Sequence, residues 1–496
     1  MSLARTPLES NRAPARTALA RRDFFSRISD GLHGAGLAYL LGADLFSPNP
    51  AFAASGASPA FDLSPKPPHF KPKAKAVIQL FMHGGPSQVD LFDPKPDLAK
   101  YVGKTPSRDL TAVAVSPQQN AGILPSPYRF ERNGESGLEF SELLPHIASC
   151  ADDIALIRSM FTETQNHETA LNMIHAGRLL GNRPTIGSWV TYGLGTENQN
   201  LPAYVVLDDP KGLPIGGIDN WQAAWLPPNC QGTRFRAQGS PVLNLDPRPE
   251  WPEQVLEIER RLLRRLDQAH LQRRPHESDL AARISSYELA ARMQLAATNA
   301  LDLEQEDERT KEMYGLNDAL TESYGRRCLM ARRLVERGVR FVQLYIEEQI
   351  WDTHTKLDER LRYSCGKTDR PSAALLKDLK QRGLLEDTLV IWGGEFGRLP
   401  LGQGDSNNKS SLGRDHGPNG FSLWMAGGGV KGGSVYGATD ELGNHAVENP
   451  VSVHDFHATV LSLLGMNFRD LVYRRHGLDE RLTDQFPARV VEELIA

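Results

Sequence analysis

The sequence has little cysteine, no long apolar run and no excess of basic residues, and each absence argues against a class of protein. Its four cysteines, Cys150, Cys230, Cys328 and Cys365, are widely spaced, and none belongs to a CxxC pair. This argues against a disulfide scaffold or a zinc knot and leaves one or two disulfides open. The formal net charge is -5, and without residues 1–53 it is -7, from 50 basic and 57 acidic residues. Nucleic acid is therefore not an expected partner.

The first 53 residues have the pattern of a twin-arginine export signal. Arg21 and Arg22 precede two phenylalanines, an uncharged run covers residues 31–43, and residues 51–53 (Ala-Phe-Ala) match a small-x-small cleavage site. Because the run is shorter than the roughly 18 apolar residues of a membrane helix, we expect no stable span in the mature form. We expect a periplasmic or otherwise exported protein. A basic amphipathic helix, an uncleaved anchor and cleavage a few residues away remain open alternatives.

The rest of the chain predicts an α/β fold with a mostly parallel sheet. Residues 54–75 are rich in proline, lysine and alanine, which is typical of a linker outside the fold. From residue 76 onward, apolar β-rich runs alternate with helical patterns, as in a sheet that helices cover on both faces. A helix is predicted over residues 372–382, and residues 210–315 predict an irregular and helical insertion. The predicted strands are 76–81, 154–158, 203–207, 341–346, 389–392 and 421–426.

Polar side chains lie beside nearly every predicted strand. Ligands bind at the carboxyl ends of the strands in an open parallel sheet, so we expect these side chains to converge on one edge. Imidazoles and carboxylates together suit zinc, manganese or iron, and two ions if all of them are used. The candidates are His83 after the first strand, His167 after the second, Asp352 and His354 after the fourth, Glu395 after the fifth, and His416 before the sixth.

Each candidate also has a structural alternative. An Asp-x-His sequence such as Asp352 to His354 is common in turns and helix caps, and His83 could complete the tight turn at the two glycines that follow it. Glu395 could pair with Arg398, and His416 could form a hydrogen bond with the neighbouring Asp415. The prediction of a metal site rests on the repetition of such residues from strand to strand.

Longer motifs surround these residues. They are His-Gly-Gly-Pro-Ser-Gln-Val-Asp at 83–90, Trp-Asp-Thr-His at 351–354, Gly-Glu-Phe-Gly-Arg at 394–398, Asp-His-Gly-Pro at 415–418 and Ala-Gly-Gly-Gly-Val-Lys-Gly-Gly at 426–433. Together they resemble the exported family called domain of unknown function 1501. That family in turn resembles the alkaline phosphatase and sulfatase superfamily, to which residues 383–397 and 453–465 are similar. The resemblance implies an alkaline-phosphatase-like three-layer α/β sandwich over residues 76–490.

The resemblance also implies how the site residues are used. Asp352, His354 and His416 would bind one divalent metal ion. Glu395 would take the place of an aspartate ligand of a second ion, and His83 the place of an aspartate after the first strand. With the resemblance included, the candidate ions are zinc, manganese or calcium, one or two in number.

The sequence departs from the superfamily at several points, of which one is the neutral His83 in place of a carboxylate and another is the lack of a clear phosphatase-type nucleophile. Phe396 occupies the place of a histidine ligand, and there is no Cys/Ser-x-Pro-x-Arg motif to supply the sulfatase nucleophile. Thr162, Thr164 and His167 lie in the region where a nucleophile is expected.

These observations predict a metal-dependent hydrolase of sulfate or phosphate esters. The substrate would be a small molecule or a polysaccharide, and His167 or His83 would act as general base or ligand. The alternative is a non-catalytic exported binding or assembly protein that keeps the fold with a degenerate metal site.

Overall fold

The predicted apolar runs form the centre of a large mixed sheet. In the computed structural model, the described residues are 63–496 without 105, 107, 113, 237–251, 275–277 and 348. All of them belong to one unit, Ser58–Ala496. Arg21, Arg22, the expected cleavage site and residues 54–62 of the expected linker lie outside the described residues.

The strands and helices alternate along much of the chain. The strands are β1 (Ala76–Phe81), β2 (Asn120–Ile123), β3 (Phe130–Asn133), β4 (Leu138–Ser141), β5 (Ile154–Phe161), β6 (Tyr204–Leu207), β7 (Thr233–Phe235), β8 (Phe341–Tyr345), β9 (Thr388–Gly393), β10 (Gly397–Gln403), β11 (Gly413–Gly417), β12 (Phe421–Ala426), β13 (Ser434–Tyr436), β14 (Ala438–Thr439), β15 (Ala446–Glu448), β16 (Val451–Ser452), β17 (Tyr473–Arg475) and β18 (Leu478–Glu480). The α-helices are α1 (Gln88–Leu91), α2 (Arg108–Ala112), α3 (Pro145–Ala148), α4 (His167–Ala176), α5 (Ile186–Leu194), α6 (Glu253–Arg273), α7 (Ser278–Leu301), α8 (Glu308–Met313), α9 (Glu322–Glu336), α10 (Leu357–Gln381) and α11 (Val453–Leu463).

The main sheet is mostly parallel. Its strand order is β13-β5-β12-β9-β1-β8-β6-β7, and β16 also pairs with β5. Strand β12 runs antiparallel to both of its neighbours, whereas the other pairings in this sheet are parallel. In the centre, Ile78 of β1 lies between Val342 of β8 and Val390 of β9. The expected α/β class with a mostly parallel sheet is therefore confirmed.

Helices cover both faces of the sheet, which gives three layers. Ile78 and Leu80 of β1 belong to an apolar cluster with residues of α9 and α10, whereas Val77 and Phe81 belong to a second cluster with residues of α4, α5 and α11. Because successive side chains of a strand point to opposite faces, a strand covered on both sides is apolar throughout. This explains why β1 is buried along its whole length.

The structure differs from the prediction at one helix and in the insertion, and it answers the question that the sequence left open about the cysteines. The helix expected at 372–382 begins at Leu357 and contains Pro371, because its buried face, including Leu361 and Cys365, packs into the core on the amino-terminal side of the proline. The expected insertion contains β7, which extends the edge of the main sheet. The four cysteines are all free and buried.

Residues 63–75, the described part of the expected linker, hydrogen-bond to the domain. The Lys66 and Phe70 amides donate to the carbonyl oxygens of Leu194 (2.9 Å) and Gly465 (3.1 Å). Among the described helices, none is long and apolar enough to cross a membrane.

Candidate metal centre

The topology brings the predicted polar residues to one edge of the main sheet. Strands β1, β8 and β9 are parallel, so His83, Asp352 and Glu395 all follow the carboxyl ends of neighbouring strands. Because β12 is antiparallel to β9, the segment that precedes β12 reaches the same edge, and it carries His416. Strand β5 runs antiparallel to β12 and leads to α4, whose first residue is His167.

Three imidazoles converge on one oxygen atom of Asp352. The distances to Asp352 Oδ1 are 3.0 Å from His354 Nε2, 3.2 Å from His416 Nε2 and 3.6 Å from His167 Nε2. Arg398 Nη2 donates a hydrogen bond to the same oxygen at 2.6 Å. Asp352 is thus the centre of the cluster.

Each of these imidazoles is held from behind through its other nitrogen. Because the three partners offer oxygen atoms that accept, each Nδ1 carries the hydrogen and donates it. The pairs are His416 Nδ1 with the Gln165 carbonyl oxygen (2.6 Å), His167 Nδ1 with Glu395 Oε1 (2.6 Å) and His354 Nδ1 with Gln403 Oε1 (2.5 Å). A metal-binding histidine commonly has this arrangement, since the bond behind the ring fixes its tautomer and orientation.

The donor set fits a divalent cation. A neutral imidazole with hydrogen on Nδ1 presents a lone pair at Nε2, and Asp352 Oδ1 also only accepts hydrogen bonds. Such groups repel one another unless a cation, either a proton or a metal ion, lies between them. Among the described residues, His167 Nε2 is buried and has no hydrogen-bond partner. An ion held by His167, His354, His416 and Asp352 would satisfy that atom and separate the facing lone pairs.

Protonation differs strongly within the cluster. Burial and the charges of Arg398 and His167 lower the pKa of His416 to about 4, although its hydrogen bond to Asp352 opposes them. Burial also lowers the pKa of His167, but Asp352 and Glu395 outweigh it and raise the value to about 9. Burial alone would raise the pKa of Asp352, but the hydrogen bonds that the histidines donate to it when their Nε2 atoms are protonated, together with the charge of Arg398, hold it well below its usual range. At neutral pH, His416 is therefore ready to bind a metal, whereas His167 must first lose a proton.

A second group adjoins this centre. Ligand atoms of His83, His167 and Glu395 all lie within 4.8 Å of one another. Both carboxylate oxygens of Glu395 accept from the Gly84 amide, at 3.0 and 3.2 Å. Burial raises the pKa of Glu395, but the hydrogen bond from His167 and the nearby charge of His83 more than offset it, so the pKa is lowered. Gly84 has φ +115, and a Cβ there would lie 2.5 Å from the Asp352 amide nitrogen. The close approach of this backbone to the segment of Asp352 therefore needs glycine.

The structure shows which partners Arg398 and Asp415 contact, and so tests the non-metal interpretations of Glu395 and His416. Arg398, the alternative partner considered for Glu395, donates to Asp352. Asp415 accepts from the His416 amide at 2.8 Å, and it also forms a group with His354 and His416 whose ligand atoms lie within 4.8 Å of one another. The Phe396 ring packs against the His167 and His416 rings, with centroids 4.8 and 4.7 Å apart. It closes one side of the cluster.

The two threonines considered as nucleophiles lie between β5 and α4. Thr164 Oγ1 pairs with Thr169 Oγ1 at 2.7 Å, while Thr162 Oγ1 is buried without a hydrogen-bond partner among the described residues. Sequence reasoning missed the acceptors at Gln165 and Gln403. No local pattern marks them, because each becomes a neighbour of its histidine only through the fold.

The family of this chain follows from a match over most of its length. The model of a family described as "Protein of unknown function (DUF1501)" matches residues 74–495. The chain belongs to this family. No curated protein matches the DUF1501 chain.

Solved structures similar to this DUF1501 protein include sulfatases and phosphatases. The PsFucS1 sulfatase from Pseudoalteromonas sp. is 13% identical, with a TM-score of 0.33 over 79% of this chain and 68% of that chain. The lipoteichoic acid synthase LtaP from Listeria monocytogenes is 10% identical, with a TM-score of 0.35 over 83% and 78%. A mutant TAB5 alkaline phosphatase with Mg bound in its M3 site is 12% identical, with a TM-score of 0.33 over 80% and 99%.

Proposed function

We propose that this DUF1501 protein is an exported, metal-dependent hydrolase of sulfate or phosphate esters, with a polysaccharide as one candidate carrier of the ester. The observation that carries the proposal is the convergence of three anchored imidazoles on Asp352 Oδ1. A set of three histidines and one carboxylate, with each imidazole held from behind, is typical of a metal centre.

Asp352, His167, His354 and His416 would hold the ion. When bound, it would supply Lewis-acid activation of the ester and a nucleophilic water at neutral pH. Such a water would explain why the sequence carries no sulfatase nucleophile motif. The side chains of His354 and Asp352 are 30% and 19% exposed, so a substrate would approach from their side of the cluster.

The remaining polar residues would support this centre. His83 is fully buried, which favours a supporting role near Glu395 over a role as general base on a dissolved substrate. His167 would lose its Nε2 proton when the ion binds, because its Nδ1 hydrogen is held by the hydrogen bond to Glu395. Phe396 would exclude water from the rings of His167 and His416.

The export part of the proposal rests on Arg21 and Arg22 with the run and cleavage site that follow. The twin-arginine route carries folded chains, so the ion could be acquired before export. Replacing both arginines by lysine should keep the protein in the cytoplasm while leaving its folding unchanged. Normal export of this double variant would contradict the assignment of the signal.

Elemental analysis of the purified folded protein tests the metal centre. We expect stoichiometric metal in the wild type and loss of it in His416→Ala and Asp352→Ala. His270→Ala, at an exposed position of α6, is the matched control and should retain the metal. A wild type that binds no metal would refute the proposal.

Turnover of aryl sulfates and aryl phosphates then tests the chemistry. Activity that disappears with the metal in His416→Ala would support a hydrolase. The non-catalytic alternative is favoured by Phe396, which stands where the superfamily has a ligand. Stoichiometric metal without turnover of aryl esters or sulfated and phosphorylated polysaccharides would support that alternative.

A further inference from the structure

A permanent cation is built into the candidate centre. The side chain of Arg398 is fully buried, and its Nη2 lies 2.6 Å from Asp352 Oδ1. The guanidinium also donates to three backbone carbonyl oxygens: Nη2 to Gly84, Nε to Gly85 (2.9 Å) and Nη1 to Arg414 (3.1 Å). These bonds fix its position, and a guanidinium stays charged throughout the physiological pH range.

Arg398 changes the charge that the centre offers to an ion. The three imidazoles are neutral when they act as ligands, so Asp352 supplies the only negative charge of the four-residue set. That charge is already balanced by Arg398. Two carboxylates adjoin the set. Glu395 is engaged by the Gly84 amide and by His167, and Asp415 is engaged by the amides of Ser116 and His416. The centre therefore offers mainly neutral nitrogen atoms.

Such a set suits some ions much better than others. Calcium takes six to eight oxygen ligands, and magnesium demands octahedral oxygen coordination with carboxylates or phosphates. Zinc accepts four ligands and readily binds imidazole nitrogen. A charge-compensated set of three nitrogens and one oxygen should therefore select zinc or a similar ion over calcium and magnesium.

We propose that Arg398 is a fixed second cation of this centre, which restricts it to a single nitrogen-preferring ion such as zinc and excludes calcium and magnesium. This inference rests on the metal centre of the proposed function and adds its stoichiometry and selectivity. Arg398 is a positioning residue, since it acts on the ion through Asp352. The guanidinium already neutralises the charge of Asp352, which a second ion would otherwise neutralise.

The test is metal titration of the full-length protein after removal of metal with a chelator. Isothermal titration with Zn²⁺, Ca²⁺ and Mg²⁺ separately, together with elemental analysis, gives the number and affinity of the ions. We expect one Zn²⁺ per chain and no saturation by Ca²⁺ or Mg²⁺ at millimolar concentration. Two tightly bound Zn²⁺ ions, or micromolar Ca²⁺ binding, would overturn the inference and leave the proposed metal centre standing. Absence of any metal binding would instead refute the proposed function itself.

Two variants test the part played by Arg398. Arg398→Gln removes the charge and should strengthen Ca²⁺ binding by at least about tenfold, because Asp352 then faces the ion uncompensated. Arg398→Lys keeps the charge and should keep the wild-type preference for Zn²⁺. Unchanged Ca²⁺ affinity in a folded Arg398→Gln protein would overturn the role of Arg398. If that variant does not fold, Arg398→Lys decides, since strong Ca²⁺ binding despite the retained charge would contradict the inference.

Discussion

Zinc binding to this protein should become tighter as the pH rises from 7 to 9. The pKa of His167 is raised to about 9 in the metal-free protein, because Asp352 and Glu395 outweigh the effect of burial. At pH 7, about one molecule in a hundred then has the neutral imidazole that a metal ion requires. The apparent affinity for zinc should therefore increase about tenfold per pH unit until about pH 9, with release of about one proton per ion. His416, with its pKa of about 4, is already neutral throughout this range.

His167 also makes the stability of the metal-free protein depend on pH, in the opposite direction to its effect on zinc affinity. Its folded pKa lies above the ordinary value of 6.5, so protonation of His167 stabilises the fold. This contribution is fully present below pH 6.5 and is lost as the pH rises through about 9. It corresponds to about 3 kcal/mol. The metal-free protein should thus become less stable over the interval in which it binds zinc more tightly.

Glu395→Gln provides the discriminating variant. The variant removes one of the two carboxylates that raise the pKa of His167, so the whole pH profile should move down by about one to two pH units. Glu386→Gln, at an exposed position, is the matched control and should leave the profile in place. The assay is isothermal titration with chelator-buffered zinc between pH 6.5 and 9, in two buffers of different ionisation enthalpy. A zinc affinity that is constant from pH 7 to 8.5, or binding without proton release, would refute the reasoning.

Two further predictions concern residues near and away from the centre. Burial raises the pKa of Asp369 from 3.8 to about 7, although two backbone amides oppose it. The free energy of unfolding of the metal-free wild type should therefore fall by about 4 kcal/mol between pH 4 and 7 because of this group. Urea unfolding of Asp369→Asn should lack this loss, and parallel pH curves for the two proteins would contradict the assignment. Gly84→Ala should sharply weaken zinc binding, because the added Cβ would lie 2.5 Å from the Asp352 amide nitrogen. Gly122→Ala has a comparable positive φ without any atom within 4 Å of the new Cβ, so it should cost only about 1 kcal/mol of stability and retain zinc affinity; equal zinc affinity in both variants would contradict this account.

The strands of the sheet were predictable because burial on both faces leaves a simple signal. The expected ranges 76–81 and 421–426 coincide with β1 and β12. Strand β10, Gly397–Gln403, was not predicted, since it contains glycine and proline and pairs in a small separate sheet with β2 and β11. The start of α10 was placed too late because Pro371 resembles a helix boundary, whereas tertiary packing carries the helix through it.

The site was predictable in its members and less so in their contacts. The rule that ligands bind at strand ends identified His83, Asp352, Glu395 and His416 without any knowledge of their distances. It could not show that Arg398 contacts Asp352 rather than Glu395, because that contact joins residues 46 positions apart along the chain. Sequence spacing points to Glu395, the nearest carboxylate along the chain. Only the fold shows that Arg398 contacts the other carboxylate, Asp352.

The segment from 395 to 398 connects the two departures from a two-metal arrangement. Phe396 takes the place of an expected histidine ligand, and its ring packs against the imidazoles of His167 and His416. Two residues later, Arg398 brings a positive charge to Asp352. A phenylalanine ring offers no ligand atom to an ion, and Arg398 supplies a positive charge to Asp352. A guanidinium that is buried and bonded to three backbone carbonyls has a structural role, since burying an unneeded charge is costly. Both features therefore support the proposal of a centre for one ion.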